Sequence, residues 1–314
     1  IGARAVCQSD CSGTGYPKVR HVINLNGDVV DATQNNRTTA LTGDINAVIA
    51  RLLETLGNGA RSDADARAAA AWLADCAAQK SKWLALRAER TSAPAIFDAA
   101  WDAEILAQPA AVATVARFAR EVGALKVFDA GDVQATGFQV VEDDTPFETV
   151  TESGASYMGF AASSLLAAAA ADEPRDMIAF SGDGSFVMNP QILVDAAVHK
   201  LKAMVVVFDN RRMGAISSLQ DAQFGKDFGT NDDVAVDFVA MANAVAGVKG
   251  FHGGRTVAEL RQALQAAHAH DGLSVVHVPV YWGDAAIGGM GSYGRWNVGP
   301  WVAEVERLYA DQVI

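Results

Sequence analysis

Cysteine is scarce: Cys7, Cys11 and Cys76 are the three in a chain of 314 residues. An odd count with no paired framework argues against a disulfide-stapled fold and for a reducing compartment, so a cytoplasmic location is expected. Cys7 and Cys11 have the spacing of half a metal site, but no second Cys or His pair lies near them, and structural thiols are the expected reading. Long apolar runs are absent too. The longest, residues 157–171, has 15 residues. That falls short of the ~20 a membrane-spanning helix needs, so a buried helix is expected there. Basic charge is in deficit, with 25 Lys and Arg against 37 Asp and Glu and a net charge of −12. Such a surface repels phosphate backbones and argues against nucleic-acid partners. A small diphosphate would need a metal and local backbone donors to offset that field. No G-x-G-x-x-G follows the first strand, which argues against a dinucleotide-binding turn. Ile1 opens the chain without a basic-then-apolar leader, and the expectation is of a start inside a domain.

Short β-branched runs alternating with helical segments are what remains. Residues 19–25 read as a strand, and residues 42–55 hold an amphipathic helix with Ile45, Val48, Ile49, Leu52 and Leu53 at helical spacing. Asp44 is its expected cap and Gly57 its expected stop. Residues 1–57 therefore read as the end of one α/β unit and residues 58–92 as a connecting helix. From about residue 93 a second unit begins. Strands are expected at residues 125–128, 177–180, 203–208 and 273–280, and helices at 157–171, 189–200, 238–246 and 256–268. This pattern predicts an α/β fold, a doubly wound parallel sheet, preceded by part of a second α/β domain. Residues 93–285 would form the main domain and residues 286–314 a tail.

In open parallel sheets, ligands bind at the carboxyl ends of the strands. Here three of the expected strands end in polar turns: Asp129-Ala130-Gly131-Asp132, Ser181-Gly182-Asp183-Gly184 and Asp209-Asn210. Gly182-Asp183-Gly184-Ser185 on its own is common turn chemistry. Asn210 changes that, because it lies 27 residues after Asp183, the length of one βαβ crossover. Both side chains would then offer oxygens to one point above the sheet. Magnesium takes about six oxygens, few of them from protein. One carboxylate (Asp183), one amide (Asn210) and one backbone carbonyl (Arg212) suit it. The Gly182 and Gly184 positions let a ligand approach closely, with the Gly184 and Ser185 amides directed at its phosphate oxygens.

The Gly-Asp-Gly turn, helix, apolar strand and Asp-Asn pair resemble the motif of thiamine-diphosphate-dependent enzymes. Residues 152–160, Glu-Ser-Gly-Ala-Ser-Tyr-Met-Gly-Phe, resemble that family's turn beside the aminopyrimidine. The resemblance implies that Ser156 and Tyr157 lie at the cofactor and that Met158 buttresses its bent shape. Gly131 and Asp132 fall in the other diphosphate-facing turn, although an acidic Asp132 departs from the neutral or basic side chain usual there. Upstream, Ile1-Gly2-Ala3-Arg4 and Ile23-Asn24-Leu25-Asn26 are similar to the latter part of the central domain of the acetolactate-synthase-like group. Some members bind FAD near such segments. Asn24 and Asn26 stand where acidic residues often occur, which leaves FAD open beside thiamine diphosphate and Mg2+. The family's pyrimidine-binding domain, with its activating glutamate, has no counterpart here. The resemblance thus implies a catalytic glutamate from outside this chain, supplied by a missing N-terminal part or by another chain in a homo-oligomer.

Residues 211–220, which include Met213 and Gly214, lie where the substrate would meet the thiazolium. With residues 293–299 they are similar to the hydrolases that open cyclic 1,2-diketones. The implied reaction is C–C cleavage of such a diketone, with this chain holding the magnesium–diphosphate half of the site. An acetolactate-synthase-like carboligase, a 2-oxo-acid decarboxylase, a non-catalytic nucleotide-binding module and a degenerate partner are the alternatives. Residues 288–291 suit either a mobile lid or a packed Gly-rich Ω-loop. The six histidines, His21, His199, His252, His268, His270 and His277, are read as structural or solvated.

Overall fold

The local signals for element ends are realised by specific hydrogen bonds. A computed structural model describes residues 1–2, 19–33, 38–57, 59, 62–92, 95–152, 155–230 and 234–283. Cys7, Cys11, Arg4 and the tail expected at 286–314 lie outside those residues. The described residues divide into two units, one up to Trp83 and one from Leu84 onward.

In the first unit, β1 (Val22–Asn26), α1 (Val29–Thr33), β2 (Thr38–Thr42) and α2 (Ile45–Leu56) follow in order, and β1 pairs with β2 in parallel. Asp44 accepts a hydrogen bond from the Ala47 amide at 3.0 Å, and Gly57, at φ 57°, closes α2. Asn24 and Asn26 are buried and engaged locally. Asn24 Nδ2 donates to the Asp31 carbonyl at 3.0 Å, and Asn26 Oδ1 accepts from the Asp28 amide at 3.1 Å. The first strand begins at Val22 rather than at residue 19. The connecting segment contains a 29-residue helix, α3 (Asp63–Thr91), and the two units divide within it.

The second unit holds β3 (Ile96–Asp98), β4 (Ala103–Ala107), α4 (Gln108–Glu121), β5 (Leu125–Phe128), α5 (Asp132–Val140), β6 (Thr149–Thr151), α6 (Phe160–Ser164), α7 (Ala167–Ala170) and β7 (Met177–Gly182). It continues with α8 (Asp183–Met188), α9 (Ile192–Val198), β8 (Ala203–Asp209), α10 (Gly214–Phe224), α11 (Phe238–Asn243), β9 (Val248–His252), α12 (Val257–His268) and β10 (Leu273–Tyr281). Its sheet runs β3-β4-β10-β8-β7-β5-β6. β9 pairs with the first half of β10, and β4 pairs further along β10 at Val280 and Tyr281. All pairings are parallel except β3 with β4.

Alternation along the central strands splits the core into two layers. Met204, Val206 and Phe208 of β8 join Ile178 and Phe180 of β7 and residues of α4 and α12 on one face. Val205 and Val207 join Ala179 and residues of α6, α9 and α11 on the other. Side chains alternate between faces along a strand, so an unbroken apolar run means burial on both sides. Phe128 stacks on Phe180 at 4.3 Å, with Phe208 beyond at 5.9 Å.

The helix expected over residues 157–171 is two short helices, α6 and α7. Ser163 Oγ and Ser164 Oγ donate back to the Gly159 and Phe160 carbonyls at 2.7 Å, and the amides of Leu165 and Leu166 reach carbonyls only three residues back. Such back-bonding and tightening bend or end a helix. Residues 157–159 are used by the turn before α6, where Gly159 has φ 89°. The helices expected at 189–200 and 238–246 shorten to α9 and α11. α12 keeps its expected span because Thr256 and Glu259 form a reciprocal capping box. Thr256→Ala removes half of that box and is expected to cost about 1 kcal/mol, read as a lower urea midpoint at unchanged slope. Among the described residues no helix is long and apolar enough to cross a membrane.

Candidate functional site

β7 and β8 are parallel neighbours with Gly182 opposite Phe208, so Asp183 and Asn210 leave adjacent strands at the same edge. Asp183, Ser185 and Asn210 are all buried. Asp183 opens α8 directly after Gly182, with Gly184 and Ser185 in its first turn. A Cβ on Gly184 would stand 3.4 Å from Met158 Cε and 3.9 Å from Met213 Cγ, so two thioether side chains converge over this glycine. Gly159, next to Met158, lies against α8. A Cβ there would meet Asn189 Cβ at 3.2 Å and the Ser185 carbonyl oxygen at 3.4 Å.

The turn after β8 is held by its own side chains. Asp209 Oδ1 accepts the Arg211 amide at 2.9 Å and Asn210 Oδ1 accepts the Arg212 amide at 3.1 Å. The Met213 amide donates to the Thr230 carbonyl at 2.8 Å, and the Gly214 amide donates to the Arg212 carbonyl at 2.9 Å. A carbonyl oxygen has two lone pairs, so the Arg212 oxygen keeps one for a further partner. The Arg212 guanidinium lies 3.9 Å from the Trp282 ring centroid and 3.6 Å from an Asp227 oxygen.

Two aspartates after β5 behave differently. Asp129, which sequence reasoning did not single out, is a structural tie. It accepts the Gly159 amide at 2.8 Å, the Ser181 hydroxyl at 2.7 Å and the Ala130 amide at 3.2 Å. Burial raises its pKa while these hydrogen bonds oppose the rise. It fastens the turn before α6 to the ends of β5 and β7. Gly131, at φ 81°, then turns the chain into α5, and a Cβ there would meet Ala215 Cβ at 3.9 Å. Asp132 is buried, and among the described residues neither carboxylate oxygen has a hydrogen bond of good geometry. Burial pushes its pKa up to about 7, although Arg212 and the Asn210 side chain favour the charged form. A Cβ on Gly214 would overlap Asp132 Oδ2 and come within 2.6 Å of Trp282 Nε1, so only glycine fits there without rearrangement.

Gly131, Asp132, Met158, Gly182, Gly184, Ser185, Asn210, Arg212, Met213 and Gly214 therefore gather around the carboxyl ends of β5, β7 and β8, with Asp183. Tyr157 is 65% exposed, and Ser156 is held at φ 55° beside it. Among the described residues no group of three or more His, Cys, Asp or Glu forms a metal cluster. A cation between these turns would meet a carboxylate, an amide and a carbonyl, oxygen chemistry of the kind magnesium takes. Two further neighbours complete the surroundings. Trp282 had no local signal in the sequence. His277, read from the sequence as structural or solvated, places Nε2 2.8 Å from Asp209 Oδ2 and so braces the Asp-Asn turn from β10; its partner is 68 residues away in sequence.

Residues 129–278 match the thiamine pyrophosphate enzyme, C-terminal TPP binding domain, family model. The chain is 30% identical over 153 residues to the Escherichia coli acetolactate synthase isozyme 2 large subunit, covering 48% of this chain and 28% of that protein. It is 34% identical over 161 residues to a 3D-(3,5/4)-trihydroxycyclohexane-1,2-dione hydrolase of Halalkalibacterium halodurans, covering 49% and 24%. The matched segments thus span less than a third of these relatives' own lengths. A Rhodococcus jostii thiamine diphosphate-dependent 4-hydroxybenzoylformate decarboxylase shares the fold, with TM-score 0.62 at 17% identity over 84% of this chain and 45% of that one. The family model thus matches just under half of the chain.

Proposed function

We propose that this chain supplies the magnesium–diphosphate half of a thiamine-diphosphate-dependent enzyme that opens a cyclic 1,2-diketone by C–C cleavage. The observation that carries the reading is the exit of Asp183 and Asn210 from adjacent parallel strands at one edge, beside a glycine crowned by Met158 and Met213. Asp183, the Asn210 amide oxygen and the Arg212 carbonyl hold the Mg2+, and the Gly184 and Ser185 amides meet the diphosphate. Met158 and Met213, both exposed beside Gly184, would give the cofactor an apolar contact on the same face. When bound, thiamine diphosphate supplies the carbon nucleophile and the electron sink for cleavage next to a carbonyl. Asp183 and Asn210 anchor and move no proton. The activating glutamate comes from a pyrimidine-binding domain outside these residues, in a homo-oligomeric enzyme. Asp132 is the one poor fit, because an ionised carboxylate repels a diphosphate.

The diketone is supported by the hydrolase relatives, among them one from Bacillus subtilis that is 32% identical over 135 residues. The acetolactate synthase relatives support a carboligase instead. Incubating the complete protein, with Mg2+ and thiamine diphosphate, with cyclohexane-1,2-dione or with pyruvate separates the two. We expect the dione to yield an open-chain oxo acid; acetolactate from pyruvate with the dione untouched would reverse the assignment. Identifying the cofactors released from the native protein answers the FAD question at the same time.

A further inference from the structure

A cleft of about 400 Å³ opens at the β9–β10 side of the same sheet edge, lined by Trp101, Arg211, Val236, His252, Arg255 and His277 among others. Its lining is cationic in a chain of net charge −12. Asp237 is the one carboxylate in the lining among the described residues, and its Oδ1 is occupied in capping α11 through the Ala240 amide at 2.8 Å. Glu259, next to Arg255, is similarly engaged, its Oε2 accepting the Arg255 and Thr256 amides at 2.8 and 3.0 Å. Among the described residues, the cations are therefore not neutralised by carboxylates aimed into the cleft.

Arg211 is built into this wall. Its backbone takes φ 54°, a left-handed conformation that is costly for a non-glycine residue and persists where the surroundings impose it. Its neighbours Asn210 and Arg212 serve the diphosphate turn. The guanidinium of Arg211 lies 3.8 Å from the Trp101 ring centroid, with one Nη donating to the Ala100 carbonyl at 2.6 Å. Arg211 Nε and Trp101 Nε1 are buried and have no hydrogen-bond acceptor among the described residues. A buried donor without a partner carries a desolvation cost that a bound acceptor removes. His277 uses Nε2 on Asp209, and its ring lies 5.9 Å from that of Trp101. Ala235, Val236 and Pro279 add apolar wall. The volume is in the range that holds an organic ligand rather than a bare ion.

We propose that this cleft is a second binding site, separate from the diphosphate turn, for a small organic oxyanion whose carboxylate or phosphate meets Arg211, Arg255 and Trp101 and whose body lies on Val236 and Pro279. The assignment does not depend on the cofactor reading. It is tested by recording the indole N–H resonances of the full chain during titration with benzoate and, separately, with phenyl phosphate. Trp101→Phe and Trp282→Phe assign the two signals. A saturable shift of the Trp101 signal with either probe supports the site, and the stronger probe identifies the head group. Arg255→Gln, a substitution at an exposed rim position, is expected to weaken that titration about tenfold through loss of one charge-assisted contact. Arg211→Ala should abolish it. No saturable movement of Trp101 with either probe overturns the proposal. So does movement of Trp282 alone, because the ligand would then occupy the diphosphate turn. An unchanged midpoint in Arg255→Gln would remove the arginine from the site.

Discussion

Asp183→Ala is expected to abolish magnesium-dependent retention of thiamine diphosphate by the complete protein. Asp183 is the one carboxylate among the three protein oxygens assigned to the cation. Magnesium draws most of its coordination from phosphate and water and depends on very few protein ligands. Altering a residue that only orients a metal ligand typically costs about 10–100-fold in affinity, so deleting a direct carboxylate should cost at least that much. The fold should survive. Asp183 lies at the opening of α8, where the helix dipole favours an acidic side chain by about 0.3–1 kcal/mol. Cofactor content after gel filtration with Mg2+ present is the readout, with thermal melting as the control. Full occupancy in a normally folded variant would refute the site assignment; Asp183→Asn, which keeps the shape and removes the charge, guards against a local collapse.

Asp132→Asn is expected to stabilise the protein at pH 8 and to leave it nearly unchanged near pH 4. In the folded state burial holds the Asp132 pKa at about 7, whereas an exposed aspartate titrates near ~3.9. The folded chain therefore keeps a proton that the unfolded chain has released. Its contribution to stability is full below the unfolded pKa, declines as pH rises from about 4 to about 7, and is lost above that. Each tenfold difference in proton affinity between the two states is worth about 1.4 kcal/mol, so the change between pH 4 and pH 8 is a few kcal/mol at most. An asparagine cannot ionise, so the variant lacks this decline. Urea denaturation of both proteins across that range, in EDTA so that no metal contributes, gives the difference directly. A stability difference that does not vary with pH would show that Asp132 is not held neutral by burial.

The central strands were legible because their signal is local. β7 and β8 open on unbroken apolar runs, as burial on both faces of a parallel sheet demands, while β5 and β10 are mainly apolar with Lys126, Ser274 and His277 within them. The spacing between Asp183 and Asn210 was legible for a related reason: one crossover fits between the two turns, and the structure makes β7 and β8 parallel neighbours. The strands that went unread, β2, β3, β4, β6 and β9, have only three to five residues each, too few for a periodicity to show. The break between α6 and α7 depended on serine hydroxyls choosing backbone carbonyls, which an alanine-rich run conceals.

Around the candidate site, the residues at the ends of strands were set by sequence order, and the Gly182-Asp183-Gly184 and Asp209-Asn210 turns could be found from it. Tertiary packing alone decided what those residues touch. Asp129 ties together segments 30 and 52 residues away, His277 reaches Asp209 across 68 residues, and Trp282 packs on Arg212. The unusual state of Asp132 also has no sequence signature, because a pKa depends on the water and charges that the fold removes or supplies. Periodicity and turn chemistry act over a few residues, and they place side chains on one edge of a sheet. Which of those side chains meet, and in what dielectric, is settled only when distant strands and helices close around them.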